Sequence, residues 1–451
     1  MDYRYPLGSV FYRDLHHPYP LITHGTGVYL YDEEGKMYLD ASGGAAVVNL
    51  GHGLKELADA VSDQVQKAAY LNGMQFTHIP VESLAQEISE FLPFQDGKIY
   101  FLTSGSEAVE ASLKLARQYR VEQGRSSKYR VISRKPSYHG NTLSALSLSA
   151  RERYRETFQP MLSESCMIPA PYCYRCYREE SYPSCGVQCA TELEKAINSI
   201  GEENVSAFLT EVIGGGSIGA AVPPPEYFQS IRKICDNHGI LLIADEVMTG
   251  IGRTGKWLAS HHFEFAPDII VMGKGLTSGY FPLSALAVKR EIVEKIFTNG
   301  KSFLHFQTFA HHPVGCAAGL ETLDYIKKHN LLNRCSEMGG LLQKALSPLA
   351  DHPYVGNIRG KGLLIGIEFV QEKTAKKPFP REERFAEHFV IEALKNGLVL
   401  WPNVGHADGR NGDLVLLAPP FIVSREEIVQ IVDRLGKTLE DMNNGNKGGE
   451  K

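Results

Sequence analysis

Five short apolar runs, KIYFLT, YRVIS, AFLTEV, GILLIAD and DIIVM, recur between helical stretches from residue 98 to residue 272, and they constrain the fold more than any other feature. Each is mostly apolar rather than strictly alternating, which is the texture of a strand buried on both faces. The chain is therefore read as α/β, with a parallel or nearly parallel sheet covered by crossover helices. PPEYFQSIRKICDNHG illustrates one crossover: prolines at its start, apolar residues at helical spacing, and Gly239 where a C-terminal cap belongs. Ahead of the sheet, GTGVYLYDEEGKMYLD reads as two strands around an Asp-Glu-Glu-Gly turn. After about residue 315 the texture changes to long helices, AAGLETLDYIKKHN and MGGLLQKALSPLA, and then to strands in NIRGKGLLIGIEFV and DLVLLAPP. That change implies a second, smaller α+β domain.

Composition removes some function classes. A formal net charge of −5 and a pI near 6.4 show no basic excess, so nucleic acid is not an expected partner. No apolar run approaches the roughly 18 residues that span a bilayer, and the N-terminus MDYRYPLGSVFYRDL has neither a basic nor an apolar leader region. No membrane partner is expected, and the expected location is the cytoplasm.

In a parallel sheet, ligands bind beyond the carboxyl ends of the strands. KIYFLT is followed by Ser104-Gly105-Ser106-Glu107-Ala108, the start of a helix whose free N–H groups and positive dipole end suit a phosphate. After YRVIS come Tyr138, His139 and Gly140; Glu211 closes AFLTEV, Asp245 closes GILLIAD, and Lys274 follows DIIVM. Taken singly, each has an ordinary explanation: a solvated loop lysine, a helix-capping aspartate, a good N-cap, a core tyrosine. Together they offer an anion cradle, an aromatic ring, two carboxylates and an amine at successive strand ends. Pyridoxal phosphate asks for that set, because it has an aldehyde for the amine, a ring nitrogen for a carboxylate, a flat face and a phosphate. Lys274 would form the Schiff base, Asp245 would pair with the ring nitrogen, and Tyr138 and Val247 would cover the two faces. Glycines on either side of Lys274 would let the backbone turn, and burial would favour its neutral amine.

The segment LLIADEVMTGIGRTGKWLASHHFEFAPDIIVMGKGLTSGYFPLSALAV resembles the signature of the class III (omega) aminotransferases of fold type I. The likeness extends to GVYLYDEEGKMYLDASGGAAVVNLGHG, FLTSGSEAVEASLKLAR, SYHGNTLSALS and HFQTFAHHP, so it covers nearly the whole chain. It implies a large domain, residues 61–318, built on a mostly parallel seven-stranded sheet. It also implies a smaller domain from an N-terminal segment, 1–60, and a C-terminal part, 319–440; the polar, Gly-rich end, 441–451, reads from its composition as a disordered tail. The resemblance implies that Lys274 carries the Schiff base, that Asp245 binds the pyridine nitrogen, and that Gly105 and Ser106 hold the phosphate, with Ser104 and His139 beside them. Tyr138 would stack on the ring. Thr308 of HFQTFAHHP would reach the phosphate in the neighbouring subunit, which implies a homodimer with shared sites. The implied reaction is ping-pong transfer of an amino group from an amine or an omega- or beta-amino acid to a keto acid such as pyruvate or 2-oxoglutarate. Lys274 would move the proton. Diaminopelargonate-type transfer, an aminomutase and a decarboxylase share the same lysine and aspartate and remain as alternatives.

Substrate identity is less constrained. Arg410, in GRNGDLVLLAPP, stands near where related enzymes place a carboxylate-binding arginine, although its spacing to the following Gly-Asp is shifted by a residue. Glu211 would pair with such an arginine or lie near the ring hydroxyl. SGGAAVVN carries Ala45 and Ala46 where many relatives have bulky aromatics, which suggests a roomy entrance for a long or bulky amine. Cys173, Cys176, Cys185 and Cys189 form a C-x2-C-x8-C-x3-C array that reads either as a tetrahedral zinc site or as a Cys-rich surface insertion. No histidine supports the metal, and none is assigned. GIGRTGKW nearly meets the spacing of an ATPase phosphate loop, but Trp257 stands where Ser or Thr must hold magnesium.

Overall fold

A computed structural model describes residues 8–15 and 17–447. Strands β1 (Ile22–Thr26), β2 (Tyr29–Asp32) and β3 (Met37–Asp40) come first. Next are β4 (Lys98–Leu102), β5 (Arg130–Lys135), β6 (Cys166–Pro169), β7 (Val205–Glu211), β8 (Leu241–Asp245), β9 (Ile269–Met272) and β10 (Ser284–Val288). The last are β11 (Val355–Lys361), β12 (Leu364–Phe369), β13 (Leu398–Val399), β14 (Trp401–Val404) and β15 (Asp413–Leu417).

The central sheet has seven strands in the order β4-β10-β9-β8-β7-β5-β6. Neighbours from β9 through β6 run parallel, and β10 alone runs antiparallel to both of its neighbours. Every residue of β7, β8 and β9 is buried, which is what unbroken apolar runs require of strands covered on both faces. The helix Gly105–Glu122 lays Ala108, Val109, Ala111 and Leu115 on one face of the sheet. The crossover Tyr227–Asn237 ends as the sequence suggests, with Gly239 at φ +55° just past it. β6 and β10 were not among the runs picked out in the sequence. β6 is four residues long, and SALAV is too small and weakly β-prone to stand out.

Two four-stranded sheets form the rest. The two strands read around the Asp-Glu-Glu-Gly turn are β2 and β3; β1 adds a third ahead of them, and β13 pairs parallel with β3, so the two ends of the chain share one sheet. The other sheet is antiparallel in the order β11-β12-β15-β14. The final helix spans Arg425–Lys447, so most of the terminus read as a disordered tail is helical; residues 448–451 lie outside the described residues. Its first turn carries two acidic residues, and its early turns lodge Ile428, Ile431 and Leu435 in the core, which carries the helix on into the polar end.

One buried cation ties these parts together. Arg253 is fully buried and donates to the carbonyls of Leu363 (3.1 Å) and Pro419 (2.7 Å) and to Asn49 Oδ1 (2.6 Å), with Phe421 against its face. The GIGRTGKW segment is thus a structural clamp in this fold. Arg253→Ala should destabilise the protein by about 3 kcal/mol or more, because it strips three buried acceptors of one donor. A lowered urea midpoint would show this.

Candidate active site

The sheet's register brings the predicted groups together. Glu211 and Asp245 are paired residues at the carboxyl ends of β7 and β8, and Asp245 pairs in turn with Val271 of β9, three residues before Lys274. Asp245 is fixed on both oxygens: His139 Nδ1 lies 2.7 Å from Oδ2, and the Val247 N–H donates to Oδ1 at 3.1 Å. His139 is itself held by its backbone N–H donating to Ser149 Oγ at 2.8 Å. Glu211 accepts from the Gly215 N–H (2.9 Å), the Ser217 hydroxyl (3.3 Å) and, at a long 3.4 Å, the Tyr138 N–H. Burial raises its pKa above the usual carboxylate value.

Lys274 donates to the Ala45 carbonyl at 2.9 Å, and its amine sits 4.9 Å from the centre of the Trp401 ring. Burial lowers its pKa from 10.5 to about 8; Asp245 and Glu211 push it back up, and Arg151 pushes it further down. The sharp turn falls on the lysine itself, at φ +45°, while Gly273 is extended. Such a left-handed conformation is costly for a residue with a Cβ and persists only where the surroundings hold it. Gly275 has a different task from the one expected, since a Cβ there would meet Asn49 Nδ2 at 2.1 Å.

Ser104 caps the helix Gly105–Glu122 in a capping box with Glu107, so its side chain is occupied by the helix it starts. The first-turn N–H groups of Gly105 and Ser106 have no partner within a helix and are the ones left for an anion. Ser106 Oγ exchanges hydrogen bonds with Asn141, donating to Oδ1 at 2.9 Å and accepting from its N–H at 3.1 Å. A Cβ at Gly105 would strike Val247 at 2.8 Å, which shows how closely the phosphate loop approaches the segment after Asp245. Thr308 is exposed, with its carbonyl accepting from Tyr70 at 3.0 Å.

Several expectations fall elsewhere. The Arg410 side chain is 73 % exposed and pairs with Glu382, so the structure does not bring it to Lys274. Its shifted spacing places it in the loop after β14, turned to the surface. Ala46 is buried against Leu414, Leu416 and Ala418, and its small side chain is a packing feature rather than the wall of an entrance. Cys173, Cys176, Cys185 and Cys189 are free thiols lining one cavity of about 20 Å³. Among the described residues no three side chains of metal-ligating type are arranged to hold an ion. Three residues at the site went unread in the sequence: Arg151, Trp401 and Asn403. Arg151 is part-buried with its guanidinium 5.0 Å from the Tyr138 ring centre, and it donates to Asn403 Oδ1. The only available signal was Trp401, one of two tryptophans in the chain.

A model of the class-III aminotransferases matches residues 11–439. The Bacillus subtilis aminotransferase YodT is 38% identical, covering 94% of this chain and 96% of its own. The putrescine–pyruvate aminotransferase of Pseudomonas aeruginosa is 35% identical over 93% of this chain and 90% of its own. The solved structure of a Bacillus anthracis aminotransferase superposes with a TM-score of 0.89 at 36% identity, covering 97% of this chain and 96% of that one. The buried amine, the carboxylate fixed by His139 and the open helix N-terminus fit pyridoxal phosphate, and the fold is that of the pyridoxal-phosphate-dependent transferases of fold type I. The chain belongs to the class III aminotransferase family. Its cofactor is pyridoxal phosphate, and its reaction is transfer of an amino group between a small-molecule amine and a keto acid.

The depressed amine pKa has a measurable consequence. Below about pH 8 both folded and unfolded chains keep the proton, and the folded state bears the cost of a buried charge. Between about pH 8 and pH 10.5 the unfolded chain binds more protons, so this group adds stability as pH rises. Lys274→Met should therefore be more stable than wild type at pH 7 and lose that advantage by pH 10.5, as read by urea unfolding of the cofactor-free proteins.

Proposed function

We propose that this enzyme is a cytoplasmic homodimer that moves an amino group from a small amine, or an omega- or beta-amino acid, to a short keto acid such as pyruvate. Lys274 is its proton-transfer base. The observation that carries this reading is the buried amine of Lys274, its pKa lowered by burial, one strand from two carboxylates paired at adjacent strand ends. When bound, pyridoxal phosphate supplies an aldehyde for the substrate amine and a ring that accepts electrons. Asp245, held by His139, sets a fixed negative charge where the ring nitrogen is proposed to sit. Tyr138 and Val247 would flank the ring, and Gly105 and Ser106 would hold the phosphate through their N–H groups. Lys274, with a pKa near working pH, would take and give back the proton of the substrate carbon, and a pKa near working pH is the condition for efficient general base catalysis. Glu211 raises the negative charge near Asp245 without touching Lys274 at ion-pair distance. Lys274→Ala should lower turnover by more than about a thousandfold while leaving the thermal melt cooperative. Wild-type rates in that variant, followed by keto acid consumption, would remove the proposed mechanism.

A second copy is proposed to cover an apolar surface around Thr308. Leu304 (74 %), Phe306 (56 %) and Phe309 (50 %) are exposed on one segment, and Met74 (74 %), Phe76 (60 %) and Ile79 (81 %) on another. Tyr70 joins the two segments by its bond to Thr308 and its edge contact with Phe309 at 6.0 Å. A patch of this kind on an isolated protomer is the signature of an interface, and it supports a site that Thr308 completes from the neighbour. Leu304→Asp should shift the protein to monomer in sedimentation analysis and lower activity in proportion to the monomer fraction.

A further inference from the structure

We infer that Arg151 and Asn403 together form the receptor for the substrate carboxylate, an assignment that rests on the aminotransferase reading above. Arg151 directly precedes the helix Glu152–Phe158, and Asn403 is a buried residue of β14. The guanidinium lies 5.0 Å from the centre of the Tyr138 ring and 5.8 Å from that of Tyr154, and it donates to Asn403 Oδ1. Among the described residues no carboxylate stands within ion-pair distance of it. Glu211, the carboxylate that acts on it most strongly at longer range, already accepts from Gly215, Ser217 and Tyr138.

Two donors are consequently sealed from solvent without an acceptor: Arg151 Nε and Asn403 Nδ2. A buried guanidinium lacking a counter-charge is costly, and a buried amide N–H₂ with no partner adds to that cost. A carboxylate would relieve both, because it brings a negative charge and two oxygens to a planar fork of donors. Gly216 packs directly against the pair and leaves its polar atoms uncovered on that side: a Cβ there would press within 3.3 Å of Arg151 Nη2 and of both polar atoms of the Asn403 amide. The pair also belongs to the reacting site. Arg151 lowers the pKa of Lys274, and Asn403 lies two residues beyond Trp401, whose ring faces that amine. The cofactor phosphate is served by a different element, the start of the helix Gly105–Glu122, so the anion expected here is carried by the substrate. The ligand class is a 2-oxo acid whose carboxylate adjoins the reacting carbon, or the amino acid formed from it.

The test compares two acceptors with one amine donor on the holoenzyme: pyruvate, and propanal, which lacks the carboxylate. Arg151→Gln should lower the preference for pyruvate over propanal by about 10- to 100-fold through a raised KM for pyruvate, the scale of a lost charge-assisted pair of hydrogen bonds. Arg151→Lys should recover part of the loss. Asn403→Asp, which sets a negative charge in the same place, should lower pyruvate binding further while keeping the fold. Arg410→Gln should leave the pyruvate KM at the wild-type value. Calorimetric titration with propionate, an unreactive carboxylate, should show binding in wild type and none in Arg151→Gln. Equal losses for pyruvate and propanal, or wild-type propionate affinity in Arg151→Gln and Arg151→Lys alike, would overturn the assignment. Absence of transfer from any donor to any acceptor would instead count against the aminotransferase reading, and the propionate titration would still decide the receptor.

Discussion

A primary amine withdrawn from water has to give up its proton or find negative charge, and the architecture around Lys274 does some of each. Two carboxylates stand at the ends of adjacent parallel strands because the register of β7 and β8 makes Glu211 and Asp245 partners. Parallel strands with crossover helices place all their carboxyl ends on one edge, so residues far apart in sequence meet there without any special loop. His139 and the Val247 N–H then fix Asp245, so that its charge is positioned before any ligand arrives. Electrostatic preorganisation of this kind costs nothing at the moment of reaction.

The central sheet does not finish the pocket. Ala45, from the N-terminal segment, takes the hydrogen bond of Lys274, and Trp401 and Asn403, from near the other end of the chain, supply a ring and an amide. These segments keep their positions through buried charge. Arg253 spans from Asn49 to Leu363 and Pro419. On the other side, Glu368 is wholly buried among Arg359 (2.9 Å), Arg175 (2.5 Å), His406 (3.1 Å) and the Tyr172 hydroxyl. That carboxylate joins three regions: Tyr172 and Arg175 flank the first thiol of the cysteine array, Arg359 lies on β11, and His406 lies just past β14. Its neighbours hold it well below the usual carboxylate range. Breaking such a cluster leaves charge without a partner in a dry place, so it acts as a rigid brace for the loop that follows Asn403.

The strand ends of the large sheet were legible from sequence because each apolar run was long enough to declare itself and each carries a polar residue at its end or within a few residues beyond it. Lys274, Asp245, His139, Tyr138 and Glu211 were all placed that way. β6 and β10 escaped because one is very short and the other is built of small residues. Arg151 escaped for a different reason. It sits in ARERYRE, a charge-rich run that reads in sequence as a solvated face, and only the tertiary arrangement shows that its neighbours are two tyrosine rings and an amide rather than water. Arg410 shows the converse. Sequence position suggested it faced the site, yet side-chain direction depends on the turn that precedes it, and that turn aims it at Glu382.

The setting of Arg151 also bears on which amines the pocket can accept. A guanidinium with no partner at all would reject any substrate lacking a carboxylate, because the desolvation cost would fall entirely on that complex. Here two tyrosine rings lie near the guanidinium and one amide oxygen accepts from it, and cation–π contacts of this kind offset roughly 1 kcal/mol each when partly buried. The charge is therefore tolerable when unpaired and better still when paired. A single pocket can then serve both halves of an amino transfer: a carboxylate-free amine leaves the guanidinium against its rings, and a keto acid engages it. Discrimination between the two then comes from one ion pair made or left unmade.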